Sequence, residues 1–281
     1  RYKINPNILL STITDDCIKN GKDYTNKGAR YTFYGLVING FSHTVDSLAA
    51  IKKMVFEEKR ITMAELIEAM KNDFEGQEPL RQMLINDVPK YGNGDPYVDE
   101  IGARLMKEFS DGVDAKQKED GPWHDWPNLV LCSGIGTFEN YSSMGREVGA
   151  SADGRHYREA IAPNYSPTLG LDVNGPTAAL RSACCAELMP FYTGGPIDLA
   201  INANEIHGEE GVERLLGVID AYRELGGMMM TVQVLNVESL RDAQVHPENY
   251  PNLRVRLGGL SAYFVLLSKT QQDLIIKRAD R

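Results

Sequence analysis

The sequence has 281 residues, 42% of them hydrophobic and 25% charged, which suits a folded domain with a sizeable core and excludes a disordered tail or a fibre. With 39 acidic and 30 basic side chains the formal charge is −9, so the basic footprint of a nucleic-acid binder is lacking. No apolar run approaches the length of a membrane span and no secretory leader is visible, so no membrane partner is expected. The four cysteines, Cys17, Cys132, Cys184 and Cys185, contain no CxxC pair and fit neither a disulfide framework nor a zinc site; a cytoplasmic setting is expected.

In chain order, the opening segment reads as the middle of a fold, and an upstream portion is expected to precede Arg1. Residues 7–22 carry helical spacing and end at Gly21. Residues 27–40 are aromatic, β-branched and glycine-punctuated and read as loop and strand. Thr44 precedes a helix over Val45–Glu58, and Thr62 with Glu65 forms a capping box that opens another to about Met70. Pro89–Pro96 is a loop and Tyr97–Asp111 an amphipathic helix. Lys116–Pro127, with Trp123 and Trp126, reads as a long loop, Leu129–Cys132 as a buried strand, and Ser142–Pro167 as a long structured loop.

The last hundred residues alternate. Ile197–Ile201 is a strand, and Glu209–Leu225 is a helix stopped by Gly226 and Gly227. Met228–Asn236 is a strand, and Val237–Val245 a helix ended by His246-Pro247. Leu253–Leu257 is a strand, Gly258-Gly259 a turn, and Tyr263–Leu267 an apolar run. Ser268 and Gln271 form a second capping box, opening a helix to about Arg278. The alternation predicts parallel β/α units.

On spacing alone, the glycine pair within Arg254-Val-Arg-Leu-Gly-Gly-Leu-Ser-Ala-Tyr-Phe264 reads as a tight turn. The same stretch resembles the radical-loop signature of the glycyl radical enzymes, at Arg256, Leu257, Gly258, Gly259, Leu260, Ser261, Ala262 and Phe264. Leu260 departs from the aromatic residue usual there. Further matches run in family order: Gly28-Ala-Arg-Tyr31, Asp46–Lys53, Val55–Arg60, Pro89–Asn93, Gly149–Arg155, Gly175–Ala178, Leu240–Gln244 and His246–Tyr250. The tail helix matches at Leu267, Gln271 or Gln272, Ile275-Ile276 and Arg278.

The resemblance implies an α/β fold: the C-terminal half of a ten-stranded β/α barrel, built from two antiparallel halves of five parallel strands. Residues 1–160 would belong to the barrel and 161–281 to a glycyl radical domain, with a radical loop near 254–264 buried inside the barrel. Gly259 would carry the radical, supported by Arg256, Gly258, Leu260, Ser261 and Ala262. No bound cofactor or metal is implied; the radical would be a post-translational modification, installed by a radical S-adenosylmethionine activating enzyme. A Cα–H between an amide nitrogen and a carbonyl gives a delocalised radical, and glycine has no side chain to hinder abstraction.

The family's thiyl cysteine, usually in Cys-x-Glu, is expected on an upstream segment or a separate subunit. Cys185-Ala-Glu187 has the right letters but stands only 74 positions before Gly259 and reads as core. Cys132, on a strand of a region that lines the family's cavity, is a candidate substrate contact. The implied activity is anaerobic radical cleavage, elimination, decarboxylation or addition on a small organic molecule. A lyase is favoured over a fumarate-adding enzyme, with a second copy of the enzyme as a further partner. A split radical-carrying subunit and an inactive scaffold are the alternatives.

Outside that pattern, Asp153-Gly-Arg155 reads as a salt-bridged turn. The five histidines (43, 124, 156, 207 and 246) read as surface or capping residues without metal spacing, and Tyr31, Tyr34 and Met228–Met230 as core.

Overall fold

The computed structural model describes residues 5–119, 126, 128–257 and 259–280. Arg1–Ile4, Trp123, His124 and Gly258, named above, lie outside them. Eleven helices and six strands are formed among the described residues. Helices α1 (Ile8–Ile13) and α2 (Cys17–Asn20) are split by Asp16, whose φ is +71°; Gly21 caps α2 in the left-handed region. Strand β1 (Thr32–Ile38) follows.

Helix α3 (Phe41–Ala50) begins four residues before the expected start at Val45. Gly40, with φ +72°, turns the chain, and the Thr44 hydroxyl bonds back to the Gly40 carbonyl at 3.0 Å as an interior residue rather than a cap. The chain continues into a wider π-helical winding over Ile51–Glu57. Helix α4 (Met63–Lys71) opens on the expected Thr62–Glu65 capping box. Helix α5 (Glu78–Asn86) has no counterpart among the expected elements; it fully buries only Leu84, so its apolar periodicity is faint. Helix α6 (Pro96–Lys118) is longer than expected and takes in the first residues of the anticipated 116–127 loop. Val113 is buried there, and the Gln117 amide reaches strand β2 (Leu129–Ile135), accepting from Leu131 N at 2.6 Å and donating to Leu129 O at 3.3 Å.

The 142–167 region is largely loop after the short helix α7 (Tyr141–Gly145). Helix α8 (Gly175–Ala183) was also unanticipated, because Leu180 is the one large apolar side chain among its buried residues. Then come β3 (Pro196–Asn202), α9 (Gly208–Glu224), β4 (Met229–Leu235), α10 (Val237–Val245), β5 (Arg254–Leu257) and α11 (Lys269–Ala279), close to the expected bounds, and between the last two the unanticipated strand β6 (Leu260–Tyr263).

Strand β1 pairs with β2 in parallel, with Gly35 opposite Cys132; β3 pairs with β4 in parallel, with Leu199 opposite Val232. Each pair is joined by a helical crossover, as parallel neighbours require. The two parallel pairs and the β5–β6 hairpin are three separate two-stranded sheets. The chain is therefore α/β as expected, while the described residues supply four parallel strands and no closed barrel.

Two cores hold these parts. The first gathers Phe41, Val45, Met54, Leu66, Leu84, Tyr91, Met106 and Leu180 with Ile197 and Leu199 of β3. The second gathers Tyr141, Ile161, Leu235, Leu240, Val255, Leu257, Phe264, Ile275 and Ile276 with Ala200 of β3. Because side chains alternate along a strand, β3 serves both cores and is buried on both faces. The second core is thus what fastens the hairpin and α11 to the body. No described helix is long and apolar enough to cross a membrane.

Candidate functional site

The hairpin that carries Gly259 is built by alternation. Val255 and Leu257 point into the second core, and Arg256 between them faces outward and is exposed. Leu257 stands opposite Leu260 and Arg256 opposite Ser261, leaving a two-residue turn. Gly259 in that turn has φ +88°, a region in which an L side chain is strained, while a Cβ there would meet only Arg256 Nη2 at 4.0 Å. The glycine is therefore required by backbone shape rather than by crowding. The Arg256 guanidinium donates to the Gly259 carbonyl at 2.8 Å.

A clamp from β4 fixes the base of the turn. The Gln233 side-chain carbonyl accepts from Arg256 N at 2.9 Å, and its NH₂ donates to Arg256 O at 3.0 Å. Of the other residues named for the loop, Ala262 packs on the second core, whereas Leu260 is 63% exposed and Ser261 is exposed.

Gly259 closes one side of a cavity of about 200 Å³. It lies where the C-terminal ends of β1 and β2 (Val37, Ile135) meet the N-terminal ends of β3 and β4 (Pro196, Asp198, Met229, Thr231). Its polar groups are buried and bonded: Asn164 Nδ2 donates to Asp198 Oδ2 at 2.6 Å, and Asn164 Oδ1 accepts from Thr137 N at 3.0 Å and Phe138 N at 3.2 Å. Gln233, Asn164 and Asp198 were not singled out by sequence reasoning. The available signal was polarity within an apolar strand, as in Pro-Ile-Asp-Leu-Ala for β3 and Thr-Val-Gln-Val for β4.

Several expectations are corrected. Gly259 is half-buried, and the described strands around it form two parallel pairs. Tyr31 and Tyr34 are 68% and 60% exposed rather than core, since no residue of β1 is fully buried. Met228 and Met229 are exposed, and Met229 lines the Gly259 cavity. Cys132 is buried on β2, its thiol pushed up in pKa by desolvation, and it does not line this cavity. Cys185 packs near Gly102 of α6, and burial raises its thiol to about 12.

Asp153 and Arg155 do not form the expected ion pair. Arg155 is spent on the carbonyls of Glu159 (2.8 Å), Val148 (3.4 Å) and Gly149, and Asp153 Oδ2 lies 2.5 Å from His43 Nδ1. His43 is accordingly buried rather than superficial. Burial alone would raise the Asp153 carboxyl, but the bonds from His43 and Ser151 and the charge of Lys90 outweigh it and hold the group at about 2. The neighbouring Asp46, wholly buried, is pushed up to about 6 by desolvation, which Lys90 and the Tyr91 amide only partly offset. This cluster borders a cavity of about 560 Å³, which also takes in Arg81, Arg146, Arg158 and Lys277 and does not include Gly259.

Comparison with known proteins places this geometry. Residues 1–124 match the family model for pyruvate formate lyase-like proteins, and residues 161–265 match the model described as glycine radical. The chain is 35% identical to the trans-4-hydroxy-L-proline dehydratase of Clostridioides difficile over 274 residues, 97% of this chain and 34% of that protein. It is 38% identical to the isethionate sulfite-lyase of Nitratidesulfovibrio vulgaris over 241 residues, 85% of this chain and 28% of that protein. Among solved structures, the glycerol-bound B12-independent glycerol dehydratase of Clostridium butyricum superposes with a TM-score of 0.88 at 32% identity, covering 97% of this chain and 34% of that one. The chain thus spans about a third of the length of these relatives. Their names speak of elimination, none points to addition to fumarate, and that alternative is dropped. With both family models matched and a close superposition over nearly its whole length, the chain belongs to the glycyl radical enzymes of the pyruvate formate-lyase-like superfamily.

Proposed function

We propose that this chain is the radical-bearing portion of an enzyme that performs anaerobic elimination, as a dehydratase or lyase, on a small polar molecule, with Gly259 as the radical store. The observation that carries the reading is the placement of Gly259: at a hairpin tip, in a conformation that favours glycine, facing a cavity at the ends of four parallel strands. The dehydratase and sulfite-lyase relatives support elimination.

In this reading an activating enzyme of the radical S-adenosylmethionine type removes one Cα hydrogen of Gly259. The glycyl radical then takes hydrogen from a cysteine thiol on a segment or subunit outside this chain. That thiyl radical takes hydrogen from the substrate carbon next to the departing group. After the group leaves, the product radical recovers hydrogen from the thiol, and the thiyl radical recovers it from Gly259, so each turnover ends where it began. Arg256, bonded to the Gly259 carbonyl, holds the amide plane on the acceptor side of the radical. The division near residue 160 is part of the same proposal, with residues 161–281 forming the unit that presents the loop.

Anaerobic activation followed by electron paramagnetic resonance tests it. The expected result is a doublet in the wild type, absent from Gly259→Ala, and chain scission at Gly259 on exposure to air. A doublet that survives Gly259→Ala overturns the assignment.

A further inference from the structure

We propose that Gln233 is the positioning residue for the radical hairpin, holding it on the body by one side-chain amide in place of a strand ladder. The inference rests on the reading of Gly259 given above and adds to it the device that docks the loop. In an antiparallel pair the residues alternate between those that bond across the pair and those whose N–H and C=O face outward. Leu257 and Leu260 flank the turn, so the next pair, Arg256 and Ser261, turns its amide groups outward. On β5 those outward groups belong to Arg256, and both are taken by Gln233, at 2.9 Å and 3.0 Å.

A glutamine amide has one acceptor and one donor side by side, the pattern that a neighbouring strand would otherwise present. Gln117 does the same for β2, bonding Leu131 N and Leu129 O from α6. Gln233 is 8% exposed and stands mid-strand on β4, opposite Ala200, so its reach is fixed by the parallel pair. A continuous path results: β4, the Gln233 amide, the Arg256 backbone, the Arg256 guanidinium, and the Gly259 carbonyl. Because β5–β6 shares no ladder with β3–β4, the polar attachment of the hairpin to β4 is these two side-chain hydrogen bonds, beside the apolar contacts of the second core, and its release unzips no sheet. A radical site that must alternate between an activating partner and its own cavity needs such an attachment.

Two variants of the intact protein separate pairing from mere packing. Gln233→Met keeps the length and loses both bonds. Hydrogen–deuterium exchange of the unactivated protein is expected to show amides 254–263 exchanging about tenfold faster, the scale of two net hydrogen bonds. After anaerobic activation the radical doublet is expected to decay faster than in the wild type. Gln233→Glu adds a pH signature that packing would not give. Ionised, its carboxylate still accepts from Arg256 N but opposes the Arg256 carbonyl, and protection falls below wild type; protonated, its O–H donates to that carbonyl while its C=O accepts from Arg256 N, and protection returns as pH falls. Wild-type exchange in Gln233→Met, or a Gln233→Glu variant indifferent to pH, overturns the proposal. Absence of a doublet in the wild type would count against Gly259 alone, since the exchange arm needs no radical.

Discussion

At Gly259 the backbone stands at φ +88° with open space where a Cβ would go. Gly259→Ala is therefore expected to cost only about 1 kcal/mol of stability, from left-handed strain, while abolishing the radical. Urea unfolding set beside the activated spectrum checks that the two effects part company. Asp153 shows the opposite balance, a buried carboxylate whose partners decide its charge. Its pKa is depressed to about 2 from an ordinary 3.8, so its contribution is present above pH 4 and lost as pH falls toward 2. Asp153→Asn is expected to lower neutral-pH stability by about 2 kcal/mol, and the gap to wild type should close as the pH drops below 4. Asp46, raised to about 6, has the reverse sign: its ionisation weakens the fold as pH rises from 4 to 6. Denaturant titrations of wild type and Asp153→Asn across that range would expose the difference. The Asp153–His43 contact spans 110 positions, which is why the local motif Asp-Gly-Arg suggested the wrong ion pair.

Among the elements, those with local signals were legible and those without were not. The Thr62 and Ser268 capping boxes mark the starts of α4 and α11, because both partners of each box lie three residues apart. Ser268→Ala is expected to destabilise by about 1 kcal/mol. The loss should be felt at the hairpin too, since Ile275 and Ile276 of α11 share a core with Val255 and Leu257, and Gln272 donates to the Phe264 carbonyl at 2.9 Å. Proteolysis near residues 254–263 would report that coupling; unchanged cleavage would separate α11 from the hairpin. Helices α5 and α8 escaped because short segments that bury a single leucine each leave little periodicity.

Across the whole molecule, the surface is uneven. Tyr31 beside β1, Phe33 and Val37 on it and Val130 opposite Phe33 are exposed along one face of the pair, Tyr31 and Phe33 by more than 60%, while Tyr34 is exposed on the other face. So contiguous an apolar stripe is uncommon on a free surface and calls for a cover. The 281-residue chain by itself is expected to bind an apolar dye and to self-associate, with Phe33→Lys reducing both; light scattering and dye fluorescence would show it. A monodisperse chain that ignores the dye would contradict this reading.

The sequence alone determined the family, through collinear motifs, and most of the β/α alternation after residue 196, because turn glycines, caps and strand periodicity are encoded within a few residues. It singled out Gly259 by the same local means. Tertiary structure decided what surrounds that glycine: the Gln233 clamp, the Asn164–Asp198 pair and the half-open cavity. Each of these joins residues at least 23 positions apart, where side-chain direction and partner depend on how strands are brought together and not on neighbours along the chain.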